Sequence, residues 1–398
     1  MIEMKPAKVR TLVVLALFAA LISFGKFSHC EGSNWATPDQ YIHACYSDLP
    51  SLFGARGLDN SAWPYASNEN SVEYPVITGI IMYATSFVAN SPVSFFNVNI
   101  FFLVLLFLVT VLIVRKIRPE FSYLVPVAPA MIASLFINWD LWAIATMLLA
   151  IYWFDRKAEV ASAVALGIAV STKFLPIFLL IPIAIIFFRQ EQIAKLFKYL
   201  AITITTFAAI NLPVALKTPE GWWRFYDLNL NRGSDWGSVW YALSNLGLDL
   251  THQNYLSVLC LAIGLSALTI FLLQLRTPPT LAHTAIFVMI IVMAVSKVYS
   301  PQYVLWLTPL AIIAMIDKRE LTVFWFWQGA EVMYHLAIWQ HLAQVTGAKF
   351  GLPVVAYSVI TLIRIGASIL LLVRLAARHQ SSRVFPSEFL LSTGESYP

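Results

Sequence analysis

Charge is what this chain has least of. Only 12% of its 398 residues are Asp, Glu, Lys or Arg, while 59% are hydrophobic, against roughly 25% and 45–50% in an average soluble domain. Too little polar surface is therefore available to cover a water-soluble globule of this size. The net charge of +5 is modest, which argues against a nucleic-acid binder. Cysteine is scarce as well. The chain has three, with no C-x-x-C and no zinc-ligand spacing, which argues against a zinc module or a dithiol redox site. No pair of interrupted apolar helices repeats in the two halves, so an inverted-repeat transporter gains no support.

Long apolar runs take the place of charge. A hydrocarbon core about 30 Å thick needs roughly 20 apolar residues per crossing, and short of a closed barrel only helices satisfy their own backbone there. The sequence thus predicts an all-α polytopic membrane protein. About twelve spans are expected, near residues 11–27, 97–114, 121–137, 140–154, 158–172, 175–188, 198–216, 254–275, 281–297, 302–316, 321–340 and 353–375. The first follows Lys5, Lys8 and Arg10 and resembles a signal peptide, but Phe27-Ser28-His29-Cys30 is no small-residue cleavage site, so it is kept as a span. Lys173 and Pro176 leave open whether the fifth and sixth spans are two helices or one kinked helix.

The apolar segment 75–88 decides sidedness. If it crosses, the basic clusters from Arg115 to Arg383 all lie outside; if it only dips in as a juxtamembrane or re-entrant helix, they lie inside. About seventeen Lys and Arg then face the cytoplasm against roughly eight outside, the expected bias. Both termini are placed in the cytoplasm, with residues 1–376 as one domain and 377–398 as a tail. Two large extracytoplasmic loops follow, 28–74 and 217–254. Loops this long without an evident helical pattern are usually functional. Cys30 and Cys45 share the first loop, where a bridge closing about 15 residues would contribute on the order of 3 kcal/mol; two free thiols are the alternative. Cys260 falls within a span and reads as packing.

In order along the chain stand CYSDLPSLFGARGL, EYPVITG, NWDLWA, STKFLP, NLPVAL followed by PEGWWRFYDLNLNRGSDWGSVWY, and SKVYSPQYVLWLTPL. Taken together, from about Leu12 to Arg374, these segments resemble actinobacterial members of glycosyltransferase family 87, GT-C enzymes typified by polyprenyl-phosphate-mannose-dependent mannosyltransferases. The resemblance implies a GT-C bundle, a lipid-phosphate sugar donor and an essential Asp in the first outer loop, the position that Asp48 matches. It also implies an acidic residue at the second outer turn, near the donor, where Asp140 stands.

The residues support such chemistry on their own terms. Glycosyl transfer needs an acceptor hydroxyl deprotonated as it attacks the anomeric carbon, and Asp48 in Cys45-Tyr46-Ser47-Asp48-Leu49-Pro50 is a carboxylate at the outer surface that could serve as base. Capping is the competing reading, with Ser47 or Asp48 preceding Leu49-Pro50. Asn138-Trp139-Asp140 offers sugar or metal contact, or another cap. For the leaving phosphate the candidates are Lys297, with Tyr299 and Gln302 close in sequence, then Lys173, then Arg232 or Arg224 in the second loop; snorkelling is the alternative for a Lys at a span end. Glu331 and His335 lie four apart on one helical face inside a span. His335 could relay the acceptor's proton, or the two could form a satisfied core ion pair. Tyr46, Glu73, Tyr74, Trp236 and Glu331 are candidate sugar contacts; Trp222, Trp223, Trp236 and Trp240 could stack on sugar or prenyl groups, an interfacial belt being the commoner reading of such residues.

The expectation is therefore an inverting transferase in the cell membrane that moves a hexose, with mannose ahead of arabinose or glucose, from a polyprenyl phosphate to an envelope glycolipid or glycan on the outside. A transporter or flippase of lipid-linked sugars is the rival. No cofactor is firmly indicated: a divalent metal stays open as a partner of Asp140, but the first outer loop holds no clean D-x-D to require one.

Overall fold

A backbone amide in lipid has no water to turn to, so a chain this apolar has to close its hydrogen bonds within helices. The computed structural model describes residues 6–66, 70–248, 250–276 and 279–381. It is 76% helix, with no strand among the described residues.

The chain opens with α1 (Val9–Gly32), which runs past its expected end into the 28–74 segment. That segment carries the one-turn α2 (Asp39–Ile42) and α3 (Asp48–Ala55), and is followed by α4 (Val76–Ser86) and α5 (Pro92–Ile117). The middle of the chain forms α6 (Leu124–Val127), α7 (Pro129–Ser134), α8 (Asp140–Asp155), α9 (Glu159–Thr172), α10 (Leu180–Arg189) and α11 (Ile193–Lys217). The remainder forms α12 (Pro219–Asn231), α13 (Val239–Asn245), α14 (Gln253–Gln274), α15 (Leu281–Val295), α16 (Val304–Ala314), α17 (Leu321–Val345) and α18 (Val354–Ser381).

Five helices, α1, α5, α11, α14 and α18, are long and apolar enough to cross a membrane. They turn large apolar side chains outward, among them Phe18, Leu21, Phe101, Phe197, Ile204 and Val258. A soluble protein does not carry so much apolar exterior. The shorter apolar helices fill the interior instead: all of α16 and nearly all of α15 is buried.

Several expected segments take a different form. The span at 121–137 is broken into α6 and α7 because Pro129 forces Ala128 out of the helical region, to ψ 114°. The 175–188 segment divides into a 3-10 turn, Leu175–Leu179, and α10, with Lys173 extended between it and α9. The second outer loop is not irregular: Pro219 and Glu220 start α12, and Ser238 caps α13. Segment 75–88 forms the short helix α4, 11 residues long. The tail boundary at 376 falls inside α18, and 382–398 lie outside the described residues.

Two features pin stretches between the helices. Cys30 and Cys45 form a disulfide, and Trp35 joins its two ends by donating its backbone N–H to the Cys30 carbonyl at 2.9 Å and its indole to the Cys45 carbonyl at 3.2 Å. Farther along, buried Arg364 of α18 donates to Glu331 of α17 at 2.8 Å and to the carbonyls of Tyr299 and Ser300 at 2.6 and 3.0 Å. Its guanidinium lies 3.6 Å and 4.0 Å from the ring centres of Tyr299 and Tyr334. The turn before α16 is thereby anchored. Gly237 (φ 80°) fits against it because a Cβ there would stand 2.1 Å from the Tyr299 carbonyl.

Two outcomes follow. Thiol titration of the denatured protein gives one reactive cysteine, Cys260, without reductant and three with it; three in both cases would contradict the bridge. Replacing Arg364 by Met strands the buried Glu331 carboxylate and costs about 3–5 kcal/mol, whereas Arg364→Met with Glu331→Leu recovers most of that loss. Melting temperatures in detergent separate the two variants.

Candidate functional site

Capping is the first reading the geometry resolves. Ser47, not Asp48, is the N-cap of α3: its hydroxyl accepts from the Leu49 N–H at 3.2 Å and donates to the Phe136 carbonyl at 2.7 Å. The backbone N–H of Asp48 donates to the Ile137 carbonyl at 2.8 Å. Ser47 thus docks the start of α3 onto the irregular stretch between α7 and α8, leaving the Asp48 side chain free for other partners. Asp140 is likewise no cap, since no side chain caps α8.

Asn138 is where these elements meet. Its amide nitrogen donates to Asp48 Oδ2 at 2.5 Å and to the Tyr74 hydroxyl at 2.9 Å. Its carbonyl accepts from Lys173 Nζ at 3.1 Å and from the Trp139 N–H at 2.5 Å. Both amide hydrogens and both lone pairs are used, which is the full capacity of the side chain. The Tyr46 hydroxyl donates to Asp48 Oδ1 at 2.8 Å. Lys173 also stands 3.6 Å from Asp140 Oδ1 and 4.3 Å from the ring centre of Tyr74. Asp140 accepts from the Trp306 indole at 2.9 Å, while its Oδ2, although buried, has no hydrogen-bond partner.

One cation therefore serves two carboxylates, and Asn138 spaces them. Asp48, Tyr46, Tyr74 and Lys173 are partly exposed, whereas Asn138 and Asp140 are buried, so the cluster has a solid floor and an open face. Desolvation is the largest influence on Asp48 and raises its carboxyl above the ordinary value; the Tyr46 hydrogen bond, Lys173 and Asn138 pull it back in part. Burial and the neighbouring Asp48 charge also push the Tyr46 hydroxyl well up, so it stays a donor.

The other candidates distribute around this cluster. Glu73 bridges Arg56, at the end of α3, and Arg224 of α12, the latter at 3.1 Å, which ties the 28–74 and 217–254 segments together. Lys297 lies elsewhere than at the Asp48 cluster's hydrogen bonds: its amine donates to the carbonyls of Leu230 and Arg232 at 3.2 and 2.8 Å, closing the end of α12. Burial, then Arg232, lowers its pKa. Arg232 is paired with Asp235. Tyr303, at the start of α16, lies within electrostatic reach of both Asp140 and Arg232. Tyr299 and Gln302 are buried, Tyr299 in the Arg364 network. Trp236 is exposed and bonds Tyr241 at 3.2 Å.

Glu331 and His335 do not pair with each other. Arg364 takes the Glu331 carboxylate because it alone can neutralise it from the facing helix. His335 instead meets Lys26 at 3.2 Å, Ser134 at 3.3 Å and the Trp339 indole at 3.2 Å. Trp339 in turn stacks with Tyr41 and lies 5.3 Å, ring to ring, from Tyr46, placing His335 two residues removed from Asp48. Lys26, Arg364 and Trp306 belong to these networks and were not among the sequence candidates. Arg364 had a signal, being a lone basic residue in the middle of an apolar segment. Among the described residues one group has the donor set of a metal site, His29, Asp39 and His43; it is separate from the hydrogen bonds of Asp48. No protein-family model matches the chain, and no curated protein matches it in sequence.

Asp48 binds its proton up to higher pH when folded than when unfolded. The native state therefore holds more protons across that window, and stability falls as pH rises through it. Asp48→Asn removes this slope. Melting curves from about pH 4 to about pH 8 should show the variant gaining on the parent as pH rises; a constant difference would mean that Asp48 is not desolvated.

Proposed function

We propose that the chain is a membrane-embedded, inverting glycosyltransferase of GT-C type, moving a hexose, mannose first, from a polyprenyl phosphate to an envelope glycolipid or glycan on the extracytoplasmic side. The observation that carries this reading is the Asp48 cluster: a carboxylate with raised proton affinity, released from capping, next to a lysine, on an open face between two outer segments. In this reading the chain passes the membrane about twelve times with both termini inside. The five long helices face the lipid in this reading, and the shorter apolar helices pack inside them.

Asp48 accepts the proton of the acceptor hydroxyl as the acceptor oxygen bonds to the anomeric carbon. The bond from that carbon to the phosphate oxygen breaks, and the phosphate leaves with the electron pair. Tyr46 and Asn138 hold Asp48 in place. Lys173, beside Asp140, meets the departing phosphate, a role it takes ahead of Lys297, whose amine is held by backbone carbonyls. Asp140, buried beneath the open face and 3.6 Å from Lys173, holds it in position for that contact.

The test is incorporation of radiolabel from polyprenyl-phosphate mannose into a panel of envelope acceptors by purified protein in lipid vesicles. The parent labels an acceptor. Asp48→Asn, at an unchanged or higher melting temperature near neutral pH, falls by at least about 100-fold. Lys173→Gln raises the KM for donor more than for acceptor. Donor movement across the vesicle without bond formation would replace the transferase reading with that of a flippase, and full activity in Asp48→Asn would remove that residue from the mechanism.

A further inference from the structure

The outer end of α1 carries a second constellation that the transfer reading does not use. His29 in the last turn of α1, Asp39 at the start of α2 and His43 just after α2 turn toward one another. His29 Nε2 lies 2.9 Å from Asp39 Oδ2 and His43 Nδ1 lies 3.0 Å from Asp39 Oδ1. The two imidazole rings are 3.7 Å apart, centre to centre, and the three ligating atoms all lie within 4.8 Å of one another.

We infer that these three side chains bind one divalent transition-metal ion of the zinc class. Two imidazoles and one carboxylate are a borderline-soft donor set that suits zinc better than calcium or magnesium, which prefer oxygen. An ion about 2.0–2.2 Å from each donor requires no two ligating atoms to be more than about 4.2 Å apart. Small side-chain rotations reach that arrangement. The rings have the freedom to make them, with His29 and His43 47% and 45% exposed, and that exposure lets an ion and its completing water enter from solvent.

The backbone around the triad is already fixed. His29 is the neighbour of Cys30, and His43 lies two residues before Cys45, so the disulfide holds the two histidine-bearing segments together. The Trp35 bonds to the carbonyls of both half-cystines close the same loop. Little ordering is left to oppose binding, and preorganisation of this kind strengthens affinity. Bound metal would fasten the start of the segment that leads, five residues after His43, to Asp48. The site itself does not depend on the transfer reading.

Untagged, full-length protein in detergent, stripped with chelator, is titrated with ZnCl2 by calorimetry and by thermal melting. Saturable binding of one ion per chain is expected, with a rise in melting temperature that MgCl2 and CaCl2 do not produce. His29→Ala, Asp39→Asn and His43→Gln should each weaken zinc binding at least about tenfold and abolish the zinc-dependent rise in melting temperature. Both rings are about half exposed, so the metal-free melting temperatures of the histidine variants should match the parent. No saturable binding up to about millimolar zinc, or binding that survives both histidine substitutions, would overturn the assignment.

Discussion

The Asn138 amide joins what the sequence keeps far apart. Its four hydrogen bonds connect Asp48 of α3, Tyr74 before α4, the first turn of α8 at Trp139, and Lys173 between α9 and the following 3-10 turn. An amide with no spare donor or acceptor cannot rotate without stranding a buried group, which costs about 1–3 kcal/mol. The side chain therefore acts as a rigid spacer between Asp48 and the Lys173–Asp140 pair. Lys173 pairs with Asp140 at 3.6 Å, and desolvation keeps the Asp48 carboxyl above its ordinary value.

The same economy governs the rest of the molecule. Charge is rare, and where it is buried it is matched within the protein: Arg364 with Glu331, Lys173 with Asp140. Each of these pairs also fixes a non-helical stretch. Arg364 holds the carbonyls at 299 and 300, while Lys173 and Asn138 hold the turn before α8. Irregular backbone in an apolar surround is tolerated only where protein groups satisfy it, and these stretches are where the candidate chemistry gathers.

The helical class was legible from composition, and Asp48, Asn138, Asp140, Tyr46, Tyr74 and Lys173, which the structure brings into one hydrogen-bonded cluster, each stood out against an apolar background. The paired cysteines were legible as one of two alternatives. Helix α12 was passed over as loop although Pro219 and Glu220 mark its start and Trp222, Phe225 and Tyr226 recur at helical spacing; it is too polar to stand out as a spanning run. The Glu331–His335 pairing failed because spacing along one helix says nothing about a stronger partner on the next. Prolines at 126 and 129 lie inside an apolar run, and only their backbone consequences show that the run does not make one helix. The meeting of His29, Asp39 and His43 depends on the fold of the disulfide loop, which linear spacing does not reveal.

The proposed chemistry requires Asp48 to face the outside of the cell. Asp59, exposed in the same segment as Asp48, can be replaced by cysteine in a Cys260→Ser background and treated in intact cells with a membrane-impermeant maleimide. Labelling without permeabilisation is the predicted result. Labelling only after the membrane is opened would put the Asp48 cluster on the cytoplasmic side, where the proposed donor and acceptor do not meet.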